Sequence, residues 1–357
     1  MFMGPGLRRD DGNRRLRLNT AAPAPHLPLM IPFSVLDLAP VAEGSDTGEA
    51  LRNALDLARH AERLGYRRYW MAEHHSMPGI ASAATAVALA FVGAGTASIR
   101  IGAGGVMLPN HAPLVIAEQF GTLESLFPGR VDLGLGRAPG TDRAAAQALR
   151  RNLASDENQF PRDVVELMAY FAPDEQSPRV RAIPGEGLSI PVWILGSSLF
   201  GAQLAAMLGL PYAFASHFAP AQMMEAIALY RERFQPSAKL DRPYVMLGFN
   251  AFAADTDEEG RRLSTSLMQA FVNLRTGNPG RLPPPDEHYA ETLPAPARAM
   301  LDQVLSCSAI GSPETVREAI RSFVDRTGAD ELMITAQIFD HEARLRSYEI
   351  VAEAMAE

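Results

Sequence analysis

From Met30 onward the chain alternates short apolar runs with amphipathic stretches, and it does so eight times. The runs are MIPFSVLDLAP, YWMAEHH, IRIGAGGVMLP, RVDLGLGRAPG, PVWILGSS, PYAFASHF, YVMLGFNAFAA and ELMITAQIF. Most are followed by a segment of helical period. In the first of these, Ala50, Ala54, Leu57, Ala61 and Leu64 share one face. Asp46 and Glu49 stand at capping-box spacing, and Gly65 suits the stop. Strand–helix alternation means a parallel sheet. Eight repeats predict an α/β fold of one kind, a closed (β/α)8 TIM barrel with insertions.

Two segments break the rhythm. One is the polar stretch after residue 151. The other is the proline-dense run TGNPGRLPPPDEHYAETLPAPA, read as irregular. It is too long for an ordinary connection, which suggests a lid or substrate loop. No linker divides residues 29–357, so they are read as one barrel domain. Residues 1–28 hold five arginines and a Pro/Ala-rich stretch. They are expected to be a disordered extension lying upstream of a natural start at Met30.

Composition narrows the function classes. The 357 residues suit a barrel with insertions, and a 47% hydrophobic content supplies a large core without disulfides. A formal net charge of −8, with no basic cluster interleaved with aromatics, argues against nucleic-acid binding. Cys307 is the only cysteine, which excludes an intramolecular disulfide and disfavours a cysteine-based metal site. A reducing, cytoplasmic setting is expected. No apolar run approaches the roughly 20 residues of a membrane span, and the arginine-rich start lacks the apolar segment of a signal peptide.

In a barrel of this kind chemistry sits at the C-terminal ends of the strands. Four candidates fall there. The first is Glu73-His74-His75. Adjacent side chains on a strand point to opposite faces, so His74 is not placed to share a metal with the other two, and no metal is expected. A strand-end histidine titrates near neutrality and suits acid/base work, although a structural role is equally open. The second is the glycine run Gly102 to Gly105. It fits either close approach of a flat ligand or another backbone, or a bulge or barrel bend. The third is Arg137 in GLGRAPGTD. Its guanidinium can grip a phosphate or pair with Asp132 or Asp142. The fourth is Ser197 and Ser198, where strand gives way to helix. They can hold a phosphate at the positive helix end or simply cap the helix. Arg137 and the serines at two strand ends would then hold one phosphate.

The segments RYWMAEHH, IRIGAGGVMLPNHAPLVIAEQFGTL, PGRVDLGLGRAPGTD and WILGSS, in this order and spacing, resemble the bacterial-luciferase-like flavin monooxygenases. The likeness runs from about Met30 to the C-terminus. It is nearest to the single-chain luciferase-like oxidoreductases. It implies the (β/α)8 barrel and FMN as cofactor. The family's first histidine, which acts in acid/base chemistry beside the flavin, matches His74. Glu73 and His75 would orient or buttress it. The small-residue pair under the isoalloxazine, joined by a non-proline cis peptide, matches Gly104 and Gly105. The phosphate-binding arginine matches Arg137, and the phosphate-binding serine matches Ser197 with Ser198 beside it. Two positions depart from the luciferases. Gly136 stands where they carry a reactive cysteine, and Gly196 where they carry an acid. Light emission from a long-chain aldehyde is therefore not expected.

The implied reaction uses reduced FMN and O2 to oxygenate a small organic substrate. The reduced flavin would come from a separate NAD(P)H:flavin reductase, and the family is mostly homodimeric. One alternative is an F420-dependent hydride-transfer oxidoreductase. Another is a non-catalytic flavin-binding protein, although those relatives tend to be shortened barrels.

Overall fold

In a computed structural model the described residues are Met1, 31–137, 143–149, 159–173 and 179–356. The expectations for the N-terminal extension and for a start at Met30 fall outside them. The chain begins with β1 (Phe33–Asp37), α1 (Thr47–Arg63), β2 (Arg68–Met71), α2 (Thr85–Gly95), β3 (Arg100–Met107) and α3 (Pro113–Leu126). Next come β4 (Val131–Gly136), α4 (Arg143–Leu149), α5 (Phe160–Tyr170), β5 (Val192–Gly196), α6 (Leu199–Leu208), β6 (Tyr212–Phe214) and α7 (Met223–Arg233). The last part holds β7 (Val245–Ala253), α8 (Asp257–Arg275), α9 (Tyr289–Thr292), α10 (Ala295–Val304), β8 (Ser308–Gly311), α11 (Pro313–Thr327), β9 (Glu331–Thr335) and α12 (His341–Ala356).

The eight anticipated strands close a parallel barrel. β1 to β7 pair in sequence order, β7 pairs with β9, and β9 pairs with β1. β8 was not anticipated. It lies outside the ring and pairs only with Asn250–Ala253, the far half of β7. Its four residues carry too little pattern to read between two helices. α9 and α10 also correct the sequence reading, which treated 276–297 as irregular. Pro294 is the N-cap of α10 and a second proline falls in its first turn. Proline there starts a helix instead of breaking one.

Local signals explain the elements. The Asp46 carboxylate accepts from the Glu49 N–H at 2.8 Å and opens α1. Gly65 lies at φ +81° just beyond it. Alternate strand residues divide inside from outside, as a period of two requires. Val35, Tyr69 and Leu247 pack outward with the helices. Leu36, Trp70, Trp193, Met246 and Met333 fill the barrel interior, with Trp70 and Trp193 edge to face at 5.2 Å.

The N-terminal end of the barrel is closed by charge. The Arg68 guanidinium donates to Asp132 and to Glu331, both at 2.8 Å, and both carboxylates are fully buried. Arg100 also reaches Asp132, and Ser34 donates to Glu331. The Arg68 guanidinium lies 4.9 Å from the Trp193 ring centre. Paired charge at one end and packed tryptophans in the middle leave the opposite end for a site.

Candidate functional site

At the C-terminal ends of the strands lies a cavity of about 380 Å³. That is within the usual size of small-molecule and cofactor sites, about 300–1,000 Å³. Its walls are largely apolar. His74, Gly104, Gly105, Arg137, Ser197 and Ser198 all line it. Residues more than a hundred positions apart are therefore brought to one space by the closure of the barrel.

The two glycines form part of the cavity wall. Their shared peptide is cis, and β3 changes register against β4 between Ala103 and Val106. A Cβ at Gly104 would lie 2.7 Å from Cδ1 of Leu36, and one at Gly105 would lie 2.7 Å from the Gly134 carbonyl oxygen. The irregularity of the strand and its close approach to a neighbouring backbone are both present. The strand is irregular here, and it leaves a surface that carries no side chains.

Arg137 follows β4 directly. Asp132, one of its two possible ion-pair partners, is occupied by Arg68 and Arg100. The other, Asp142, lies outside the described residues. Among the described residues Arg137 has no carboxylate partner. Its guanidinium instead stacks on Phe200 at 4.2 Å, in the first turn of α6. Ser198 occupies the N-cap of α6, yet its side chain makes no capping hydrogen bond. The hydroxyl is thus not used as a plain cap. A cation and a helix N-terminus meet at one end of the cavity, a combination that suits an anionic group.

The strand expected to carry the Glu73-His74-His75 cluster stops short of it: β2 ends at Met71, so the three residues lie in the following loop and strand alternation does not govern them. His74 lines the cavity. Glu73 is buried and turns with His75 toward the β3–α3 loop. One Glu73 oxygen accepts from His75 Nε2 at 2.7 Å and from His111 Nε2 at 2.8 Å. The other accepts from the Met107 N–H at 3.0 Å. Burial pushes the Glu73 carboxyl up, but the hydrogen bond and charge of His111, with the bonds from His75 and Met107, outweigh it and hold it below the usual range. Among the described residues Glu73, His75 and His111 form the one trio with ligand atoms within 4.8 Å of one another. His111 was not singled out from the sequence, because nothing local links it to Glu73. In this structure the three groups are joined to each other, tying the loop after β2, which carries His74, to the loop after β3.

Sequence reading also missed His217 and Asn250, which follow β6 and lie within β7 and line the same cavity. His217 stood at a strand end in PYAFASHF, the same kind of position that drew attention to His74. The α8 side chains Leu267, Phe271 and Leu274 form a further wall, with Pro279, Gly280 and Leu282 of the proline-dense insertion. That part of the insertion is pinned, since Leu282 exchanges backbone hydrogen bonds with Val41 and Glu43. No helix of the described residues is long and apolar enough to cross a membrane.

Known proteins agree with this architecture. The family profile described as luciferase-like monooxygenase matches residues 31–331. A luciferase-like monooxygenase of Escherichia coli K12 is 53% identical over 92% of this chain and 98% of its own length. The N-acetyl-S-alkylcysteine monooxygenase of Bacillus subtilis is 29% identical over 91% of this chain and 98% of its own. Among solved structures, apo-MsnO8 superposes with a TM-score of 0.85 at 36% identity, covering 91% of this chain and 98% of that one. Matched along nearly all of its barrel by the family profile and by relatives of its own length, the chain belongs to the luciferase-like monooxygenases.

Proposed function

We propose that this protein is a flavin-dependent monooxygenase that uses reduced FMN and O2 to oxygenate a small organic substrate. One observation carries the reading. A bare cis-glycine wall, a stacked arginine beside a helix N-terminus, and a histidine converge in one largely apolar cavity. FMN needs a flat surface for its ring and cationic and N–H partners for its phosphate. The residues present fit both needs. A side chain at Gly104 or Gly105 would collide with Leu36 or with β4, so nothing can rise from that wall.

In this reading Gly104 and Gly105 support the ring, while Arg137, Ser197, Ser198 and the start of α6 hold the phosphate. When bound, the reduced flavin supplies the electrons that activate O2. The chain does the rest. His74 holds or moves one proton at the ring end of the cavity, and the Glu73–His75–His111 cluster fixes its loop. The apolar walls keep water away from the reacting groups. The name of the Bacillus subtilis relative, an N-acetyl-S-alkylcysteine monooxygenase, supports oxygen transfer over F420-dependent hydride transfer.

Reduced flavin would be delivered by a separate NAD(P)H:flavin reductase. Val87 and Phe91 on α2 and Val115 on the neighbouring α3 are exposed, which supports a homodimer through that face. The test is titration of the purified protein with FMN and with F420, followed by O2 consumption with supplied reduced FMN over a substrate panel. Binding of F420 alone would overturn the proposal.

A further inference from the structure

Gly248 and His217 contest one volume. Gly248 sits in β7 between Met246 and Asn250, and all three line the cavity. Glycine weakens a strand interior, so its presence there signals a close approach. Here the approaching group is an imidazole, since a Cβ at residue 248 would overlap Nδ1 of His217. The backbone on both sides of this approach is tied down. The Asn250 side-chain amide donates to the His217 carbonyl at 2.7 Å, and Ser216 Oγ donates to the Gly248 carbonyl at 2.6 Å. Phe218 packs against the imidazole edge to face, with ring centres 5.1 Å apart.

Nδ1 of His217 is buried with no hydrogen-bond partner among the described residues. A proton there would be an unpaired buried donor, which costs more than an unpaired lone pair. The ring therefore keeps its proton on Nε2, on the edge turned away from β7. Among the described residues, His74 is the titratable group whose charge acts on it. Burial, aided by that charge, pushes the His217 pKa down to about 4. The cavity around it is apolar, with Phe218, Leu267, Phe271 and Leu274 among its walls.

We propose that His217 binds the organic substrate as a neutral Nε2–H donor, taking one acceptor atom, such as a carbonyl oxygen, of an otherwise apolar molecule. The proposal rests on the reading of this cavity as a flavin and substrate site. An acceptor atom of the flavin is the competing taker of the same bond, and the test separates the two.

The test begins with 15N-histidine NMR of the cofactor-free protein, with His217→Phe giving the assignment. The expected result is one ring carrying its proton on Nε2 and unchanged between pH 5.5 and 8, by the usual titration range of histidine. A proton on Nδ1, or titration near 6.5, overturns the proposal. Binding is then measured with two probes of one shape, acetophenone and α-methylstyrene, which differ in carbonyl against methylene. Wild type should prefer the ketone by about three- to tenfold, the worth of one hydrogen bond. His217→Phe should bind the two alike. Gly248→Ala, which evicts the ring, should do the same, and if it does not fold the phenylalanine variant decides. Wild type with no preference, through equal binding or none, overturns the proposal. So does a His217→Phe variant that loses as much FMN affinity as ketone affinity. Failure to bind FMN, with the tautomer and the ketone preference intact, would instead remove the cofactor reading and leave His217 standing.

Discussion

The guanidinium of Arg137 lies over the ring of Phe200, 4.2 Å from its centre. The end of β4 is thereby stacked on the first turn of α6, and the cation is oriented before any anion arrives. Arg137→Ala should weaken FMN binding by about 1.5–3 kcal/mol, the usual worth of a hydrogen bond to a charged group. Phe200→Leu should cost about 0.5–1 kcal/mol through the lost stacking. Flavin fluorescence titration reads both. Unchanged affinity in Arg137→Ala removes the phosphate assignment.

His74→Ala should keep FMN and lose turnover. The side chain lines the cavity, and loss of a positioned proton-transfer group costs about 10²–10⁴-fold. Single-turnover kinetics with supplied reduced FMN, alongside a flavin binding curve, separates the two effects. Equal loss of binding and rate would make His74 a cofactor contact only.

Glu73 should act through stability. Its carboxyl accepts three hydrogen bonds and is held below its usual range, chiefly by His111 and His75 against the upward push of burial. A depressed carboxyl stabilises the fold above the unfolded value, here 4.5, and that contribution fades as pH falls through the folded value. Glu73→Ala should cost about 1–3 kcal/mol at pH 7, and the gap to wild type should narrow at pH 4. Urea unfolding at the two pH values measures it.

His217 should make the fold sensitive to mild acid. Its pKa lies at about 4 when folded, against 6.5 when free, because of burial and the neighbouring His74. Above 6.5 both states are neutral and no penalty exists. As pH falls from 6.5 toward 4 the unfolded chain takes the proton first, and stability drops by up to about 2–3 kcal/mol. His217→Phe should flatten that part of the stability profile. Parallel acid dependence in the two proteins would mean that the ring is not held neutral.

Much of this was legible in the sequence, for physical reasons. All eight barrel strands carry enough apolar residues to be read, but β2 ends at Met71, so the alternation expected of Glu73, His74 and His75 had no strand to act on. Asp46 and Gly65 marked both ends of α1, the first capping the Glu49 N–H and the second turning at φ +81°. What escaped was non-local. His111 meets Glu73 only because β2 and β3 are neighbours. His217 had a local signal at its strand end, but its approach to Gly248 is visible only in the folded barrel. Pro294 was hidden in a segment whose prolines suggested irregularity, and β8 is too short to carry a pattern.

The manner of closure has a further consequence. β7 is long enough to serve two partners. Its Met246–Asn250 portion pairs with β9 to close the barrel, while Asn250–Ala253 pairs with β8. Between them α8, α9 and α10 hold a small core of their own, built on Phe271, Leu293, Leu301 and Val304. The cavity wall formed by α8 therefore has two footings, Leu267 in the barrel core and Phe271 in the smaller core of the branch.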